Sequence, residues 1–242
     1  MTNIGKEKII EVKNVTVGYD NMVVLRDVSF DVFKGEIFCI MGGSGCGKST
    51  LLKHIIGLYT PKAGDIFLHG ESICSADEVK KRDMMRHFGV TYQGGALFGS
   101  MTLAENVALV LEEYTDKSKS EIADIVEEKL KLVDLAGFGK YMPSELSGGM
   151  RKRAGLARAM ALDPGLLFFD EPSAGLDPLT SAELDRLILN LQHRFNTTIV
   201  VVTHELDSVF TFADRVIMLD KGTKSIIAEG NPFDLRDASP NP

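Results

Sequence analysis

The chain has 242 residues, 44% of them hydrophobic and 25% charged, with a formal net charge of −7. That length suits one large α/β domain, or two small lobes sharing a core, and the acidic balance argues against a general nucleic-acid binder, which needs a concentrated basic surface. No apolar stretch approaches the roughly 18 residues of a transmembrane helix. The N-terminus lacks a secretion signal, and Cys39, Cys46 and Cys74 form neither a disulfide framework nor a metal pattern, so a reducing cytoplasmic setting is expected.

Residues 9–32 alternate with period two, clearest at Val28, Phe30 and Val32, and Asp20-Asn21 supplies a turn, which predicts an antiparallel hairpin. Lys34-Gly35 turns the chain into the apolar run Ile37-Phe38-Cys39-Ile40-Met41. The next residues, Gly42-Gly43-Ser44-Gly45-Cys46-Gly47-Lys48-Ser49, read as a phosphate-binding loop between a strand and a helix. Its glycines let the backbone wrap a phosphate chain, its N–H groups point at the anion, and the following helix presents its positive N-terminal end. Lys48 can reach the β and γ phosphates, and Ser49 offers a hydroxyl to Mg²⁺. A glycine-rich turn without a ligand is the alternative, and the strand before and amphipathic helix after it at residues 50–56 favour the phosphate loop. Thr60-Pro61-Lys62-Ala63-Gly64 breaks that helix, and residues 66–68 return to the hairpin sheet.

Residues 103–111 and a helix opened by the capping box Ser118-x-x-Glu121, with Ile122, Ile125, Val126, Leu130 and Val133 at helical spacing, predict a helical subdomain over about residues 94–160. The basic runs Lys80-Lys81-Arg82 and Arg151-Lys152-Arg153 read as solvated helix faces. Leu146-Ser147-Gly148-Gly149-Met150 opens another helix. Ser147 is at least its N-cap, and beside a phosphate loop the glycines make a second anion-binding helix terminus, one that serves a nucleotide held by another copy. Leu166-Leu167-Phe168-Phe169-Asp170-Glu171-Pro172 is an apolar strand ending in two carboxylates. Asp170 suits Mg²⁺, directly or through water, and Glu171 suits the base that orients and deprotonates an attacking water. Adjacent acids at a strand end could instead cap the next helix. Asp177-Pro178 predicts an N-cap and first-turn proline, followed by a helix with Leu184, Leu187, Ile188 and Leu191 on one face and a strand at residues 199–203. Strands alternating with helices around a phosphate loop predict an α/β fold with a mostly parallel sheet.

Taken in order, these residues resemble the ATP-binding cassette (ABC) family: an aromatic at Tyr19, a Walker A loop at 42–49, a Q-loop Gln93, a signature at 146–150, Walker B at 166–170, Glu171, a D-loop at Ser173-Ala174-Gly175-Leu176-Asp177 and a switch His204. The resemblance implies a P-loop NTPase of ABC type, a single nucleotide-binding domain over 1–242 whose parallel core carries an antiparallel β lobe, a helical lobe and a short C-terminal tail at about 231–242. It implies ATP and Mg²⁺ as ligands and ATP hydrolysis as the activity. Tyr19, Gly42, Gly43, Ser44, Gly45, Cys46, Gly47, Lys48, Ser49 and Thr50 would bind ATP, and Ser49, Gln93 and Asp170 would serve Mg²⁺. Glu171, His204, Gln93 and Lys48 would be catalytic. Ser147, Gly148 and Gly149 would act in trans in an ATP-bound head-to-tail homodimer, with Asp177 in its D-loop.

Tyr92-Gln93-Gly94-Gly95-Ala96-Leu97-Phe98, the signature continuing through Met150-Arg151-Lys152-Arg153, and Val202-Thr203-His204-Glu205-Leu206 look like the MlaF-like ATPases of Mla/Mce lipid transport systems. That implies phospholipid or other hydrophobic cargo, an MlaE-type integral-membrane permease, an MCE-domain lipid-binding protein, a small regulatory protein and no nucleic acid. It also implies a peripheral position on the cytoplasmic face of the inner membrane. Gly94-Gly95 would permit a close approach, while Leu97 and Phe98 either line a groove for a permease helix or pack within the helical lobe. Met150 departs from the glutamine more usual there. An importer of an amino acid, metal or other small solute would share every catalytic residue. An ABC protein acting on nucleic acid or ribosomes would carry a long coiled-coil insertion or a second cassette, and a scaffold without turnover sits poorly with Glu171 and His204.

Overall fold

The alternating N-terminal segment forms β1 (Lys8–Tyr19) and β2 (Met22–Phe33), paired antiparallel with Tyr19 opposite Met22 across the Asp20 turn. This is a computed structural model describing residues 6–238. β4 (Ala63–Leu68) adds antiparallel to the other side of β1, as expected from its position after the helix break, and the two-residue β5 (Glu71–Ser72) completes a sheet ordered β2-β1-β4-β5.

The second sheet is built from β3 (Ile37–Gly42), β6 (Phe88–Thr91), β7 (Leu166–Asp170), β8 (Thr198–Thr203), β9 (Arg215–Asp220) and β10 (Ser225–Gly230), in the order β10-β9-β3-β8-β7-β6. Its five strands from β9 to β6 run parallel, and β10 pairs antiparallel with β9. Every residue of β7 and β8 is buried, which is why these strands read as continuous apolar runs instead of alternating ones. One face carries Cys39, Leu167, Phe169, Ile199 and Val201 into a core shared with the helices α3 (Leu103–Tyr114), α4 (Lys119–Leu132), α5 (Gly148–Ala159) and α6 (Pro178–Phe195). The opposite face carries Phe38, Ile40, Phe168, Val200 and Val202 into a core shared with α1 (Lys48–Ile55) and the antiparallel sheet.

The helices begin where side chains satisfy their free N–H groups. Ser118 and Glu121 form the expected capping box of α4, and Thr102 with Glu105 forms a second one at α3. Asp177 caps α6 with Pro178 in its first turn. Shorter elements complete the fold: α2 (Glu78–Met85), a 3₁₀ turn at Pro143–Glu145, α7 (Leu206–Phe212) and α8 (Pro232–Ala238). Part of the tail at 231–242 is thus α8, and residues 239–242 lie outside the described part of the chain. Among the described residues no helix is long and apolar enough to cross a membrane.

Two sequence expectations change. The run Arg151-Lys152-Arg153 is a solvated face only at Arg151, which is exposed with its Nη1 donating to the Leu146 carbonyl at 2.8 Å, while the partly buried Arg153 bridges Asp134 and Glu183 at 3.1 and 2.7 Å. Lys152 turns inward beneath β7. The cause is that α5 is wedged between the helical lobe and the sheet, leaving it little free surface. The close approach allowed by Gly95 is to this chain's own α5, since a Cβ there would lie 2.7 Å from the Arg151 carbonyl. Leu97 packs on the helix-side core, while Phe98 stays half exposed under the Arg158 guanidinium. On the amphipathic α1, His54 is fully buried, and burial holds its imidazole below the ordinary histidine range.

Candidate nucleotide site

The loop joining β3 to α1 lies at the carboxyl ends of the parallel strands, where α/β sheets bind ligands. Its backbone takes conformations that glycine alone tolerates well. Gly42 has φ 154°, Gly45 72° and Gly47 107°, and a Cβ on Gly47 would sit 2.7 Å from Val24 Cγ1. Gly43 has no atom within 4 Å of where its Cβ would lie, so its face of the loop is open. Cys46 is 2% exposed and packs into the core beneath the loop, so it offers a ligand its backbone and not its thiol.

Lys48 is 7% exposed; its Nζ donates to the carbonyls of Gly42 at 2.9 Å and Gly43 at 3.3 Å and lies 3.5 Å from Glu171 Oε1. Ser49 Oγ donates to Asp170 Oδ1 at 2.8 Å. Burial holds the Asp170 carboxyl above the usual carboxylate range, the Ser49 hydrogen bond opposes that shift, and the Glu171 charge adds to it. Glu171 follows immediately, and its other oxygen, Oε2, lies 2.7 Å from His204 Nδ1. Its own N–H donates to the Val202 carbonyl at 2.8 Å, and its φ is 50°, a left-handed backbone conformation unusual for this residue type.

These groups open on a cavity of about 410 Å³ lined by Ser44, Gly45, Gly47, Lys48, Ser49, Thr50, Gln93, Glu171 and His204. Nine of the eighteen site residues named from sequence therefore line one polar pocket, and Asp170 joins it through Ser49. Tyr19 lies one residue removed from it, its hydroxyl 3.3 Å from Thr50 Oγ1 and its ring edge-on to Tyr59. Gly42 and Gly43 are not among the residues lining the pocket, and their carbonyls accept from Lys48. Ser147, Gly148 and Gly149 do not reach this cavity: Ser147 Oγ accepts from the Met150 N–H at 3.2 Å, and the two glycines form the first turn of α5. Asp177 is likewise outside, where hydrogen bonds from Thr180 hold its carboxyl below the usual range. A larger groove of about 670 Å³ between α3 and α4 is lined by apolar residues such as Ala104, Ala108, Ile122 and Val126 together with charged ones such as Glu105 and Lys119, and none of the residues named from sequence as site residues lines it.

The donor set fits a magnesium–triphosphate. One wall presents backbone N–H groups and an ammonium, and the other presents a hydroxyl and a carboxylate already 2.8 Å apart, the hard oxygen ligands Mg²⁺ prefers. Sequence reasoning missed Lys152, whose Nζ donates to the carbonyls of Pro172 and Ala174 at 2.5 and 2.7 Å just behind Glu171. It also missed Asn106, which is fully buried and binds the backbone at Phe98, Met101 and Thr102 next to the Gln93 segment. Thr102-x-x-Glu105 was a signal for the helix that carries Asn106.

The family model described as "ABC transporter" matches residues 25–174. A Mycobacterium leprae protein named "Probable ribonucleotide transport ATP-binding protein mkl" is 47% identical over 212 residues, 87% of this chain; the chain spans 60% of that relative's length. The Haemophilus influenzae "Intermembrane phospholipid transport system ATP-binding protein MlaF" is 41% identical over 95% of this chain and 86% of its own. Among solved structures, the dimeric ATP-binding cassette MJ0796 in a post-hydrolysis state bound to ADP and Pi superposes with TM-score 0.84 at 30% identity, covering 92% of this chain and 98% of the other. CbiO1 from Clostridium perfringens superposes with TM-score 0.87 at 26% identity, covering 96% and 92%. By sequence, fold and the geometry of its phosphate loop, this chain belongs to the ABC transporter family.

Proposed function

We propose that this chain is the ATP-hydrolysing subunit of an ABC transporter that moves phospholipid or another hydrophobic molecule between membranes. The observation that carries the ATPase reading is the Glu171 carboxylate, held between Lys48 Nζ at 3.5 Å and His204 Nδ1 at 2.7 Å at the edge of the phosphate-loop pocket. A carboxylate placed there can take a proton from water as the water attacks a terminal phosphate. Lys48 and the loop N–H groups bind the phosphate chain, and His204 orients Glu171 and contacts the γ-phosphate. Tyr19 stacks on the adenine. Mg²⁺, when bound, neutralises phosphate charge, and Ser49, Asp170 and Gln93 are the side chains that would hold it.

Ser147, Gly148 and Gly149 at the start of α5, which do not reach the pocket of their own chain, complete the pocket of a second copy, with Asp177 near the contact. The lipid cargo is supported by the relative named for intermembrane phospholipid transport and its 86% coverage. With that reading go an MlaE-type permease, an MCE-domain lipid-binding protein, a small regulatory protein and a place on the cytoplasmic face of the inner membrane. A ribonucleotide or other small solute is the second reading, favoured by the name of the mycobacterial relative.

Two experiments test this. Glu171→Gln keeps ATP binding and loses turnover by at least about a hundredfold; unchanged turnover removes Glu171 from the role of base. Affinity purification from detergent-solubilised native membranes is expected to recover an MlaE-like permease, an MCE protein and phospholipid, whereas recovery with a solute permease replaces the cargo.

A further inference from the structure

Four consecutive residues after β7 bring three backbone carbonyls to one point. The oxygens of Glu171, Pro172 and Ala174 converge on Lys152 Nζ at 3.4, 2.5 and 2.7 Å. An ammonium has three N–H bonds and no acceptor, so these three contacts use its whole donor capacity. Converging carbonyl dipoles repel one another unless a cation sits among them, and Lys152 is the cation. The segment it holds begins with Glu171, whose φ of 50° is a conformation that persists only where its surroundings enforce it. Two backbone contacts, the Glu171 N–H to Val202 and the Ala174 N–H to Glu171, supply the rest of the enforcement. Lys152 stands one turn inside α5, whose Gly155 packs backbone against backbone on Gly95, two residues past Gln93.

We propose that Lys152 is a positioning residue for hydrolysis: by binding the carbonyls at 171, 172 and 174 it holds Glu171 in the backbone conformation that aims its carboxylate at the pocket. The inference rests on the ATPase reading above. Lys152 lies outside the 410 Å³ pocket, so its loss changes the placing of the base and leaves the nucleotide's own contacts in place.

The test compares the full chain with Lys152→Met, which keeps the stem and removes the donors, and Lys152→Arg, which keeps a multidentate cation. Steady-state ATPase kinetics, titration with a fluorescent ATP analogue, thermal melting and amide hydrogen exchange over residues 171–177 are measured. Lys152→Met is expected to lower kcat roughly 10- to 100-fold with nucleotide affinity within about twofold of the parent, Lys152→Arg to recover part of the loss, and exchange at 171–177 to rise in the methionine variant. Unchanged kcat overturns the proposal. So does a joint fall of kcat, nucleotide affinity and Tm, which describes a general structural role. A parent protein without ATP turnover overturns the ATPase reading instead, and exchange then decides: unaltered protection of 171–177 in Lys152→Met overturns the positioning role as well.

Discussion

Asp185 on α6 is 4% exposed; its Oδ2 accepts from the Ser208 hydroxyl at 2.8 Å, and its Oδ1 has no hydrogen-bond partner among the described residues. Burial raises its carboxyl above the usual range, the Ser208 bond opposes this, and the charges of Asp207 and Glu205 add to it. The native state therefore holds this proton more tightly than the unfolded chain. Stability falls as pH rises from the unfolded carboxylate value near 3.9 through the raised native one. Asp185→Asn is expected to raise Tm by about 2–4 °C near neutral pH, with the gain shrinking as pH falls and the native carboxyl takes up its proton. Melting curves across that range check it, and an equal gain at both ends sinks it. Residues such as Lys48, Ser49, Asp170 and His204 were legible because a linear motif fixes their spacing. Asp185 and Lys152 were not, because their partners lie 23 residues on at Ser208 and about 20 residues on at the carbonyls after β7. The thiol of Cys46 shows the converse, a motif position whose side chain the fold turns inward.

The packing of α5 on β6 and the segment after it depends on missing side chains. A Cβ on Gly155 would lie 2.7 Å from the Gly95 carbonyl, and one on Gly89 would lie 2.2 Å from the Ala159 carbonyl. Both obstacles are backbone and cannot swing away. Arg158 then fastens the contact by donating to the Ala96 carbonyl at 2.8 Å. Gly155→Ala is expected to cost about 1–3 kcal/mol and to reduce ATP turnover by displacing the segment that carries Gln93; denaturant unfolding and ATPase assays check both, and parent-like values in each refute the prediction. Ser118→Ala, which removes half of the α4 capping box, is expected to cost about 1 kcal/mol without touching turnover. Periodicity and caps made α4, α6 and the central strands legible. Short elements such as α7, with seven residues and no side-chain cap, carry too little pattern for that, and β10 alternates only partly because it is an edge strand.

The second glycine-rich helix terminus misses its own pocket, and the function proposed above gives it a place in the pocket of a second copy. Leu179 and Leu206, 71% and 55% exposed, flank Asp177 and His204 in sequence and add apolar surface beside the D-loop and switch. ATP-loaded Glu171→Gln is expected to elute from size exclusion at twice the monomer mass and to return to monomer with ADP; a monomer in both states contradicts the shared-pocket reading. The class of fold and the order of its functional segments could be read along the chain, whereas which helix terminus faces which pocket is a property of three-dimensional placement.

The central sheet separates two cores, and the two buried cysteines of the three lie on opposite sides of it. Cys39 belongs to the helix-side core and Cys46 to the core shared with the antiparallel sheet, both nearly inaccessible, and burial raises the Cys39 thiol pKa so that little thiolate forms. The protein thus carries a native reporter in each half. Pulsed alkylation during unfolding, read by mass at the two sites, reveals which side opens first, or that both open together, without any label having to be engineered.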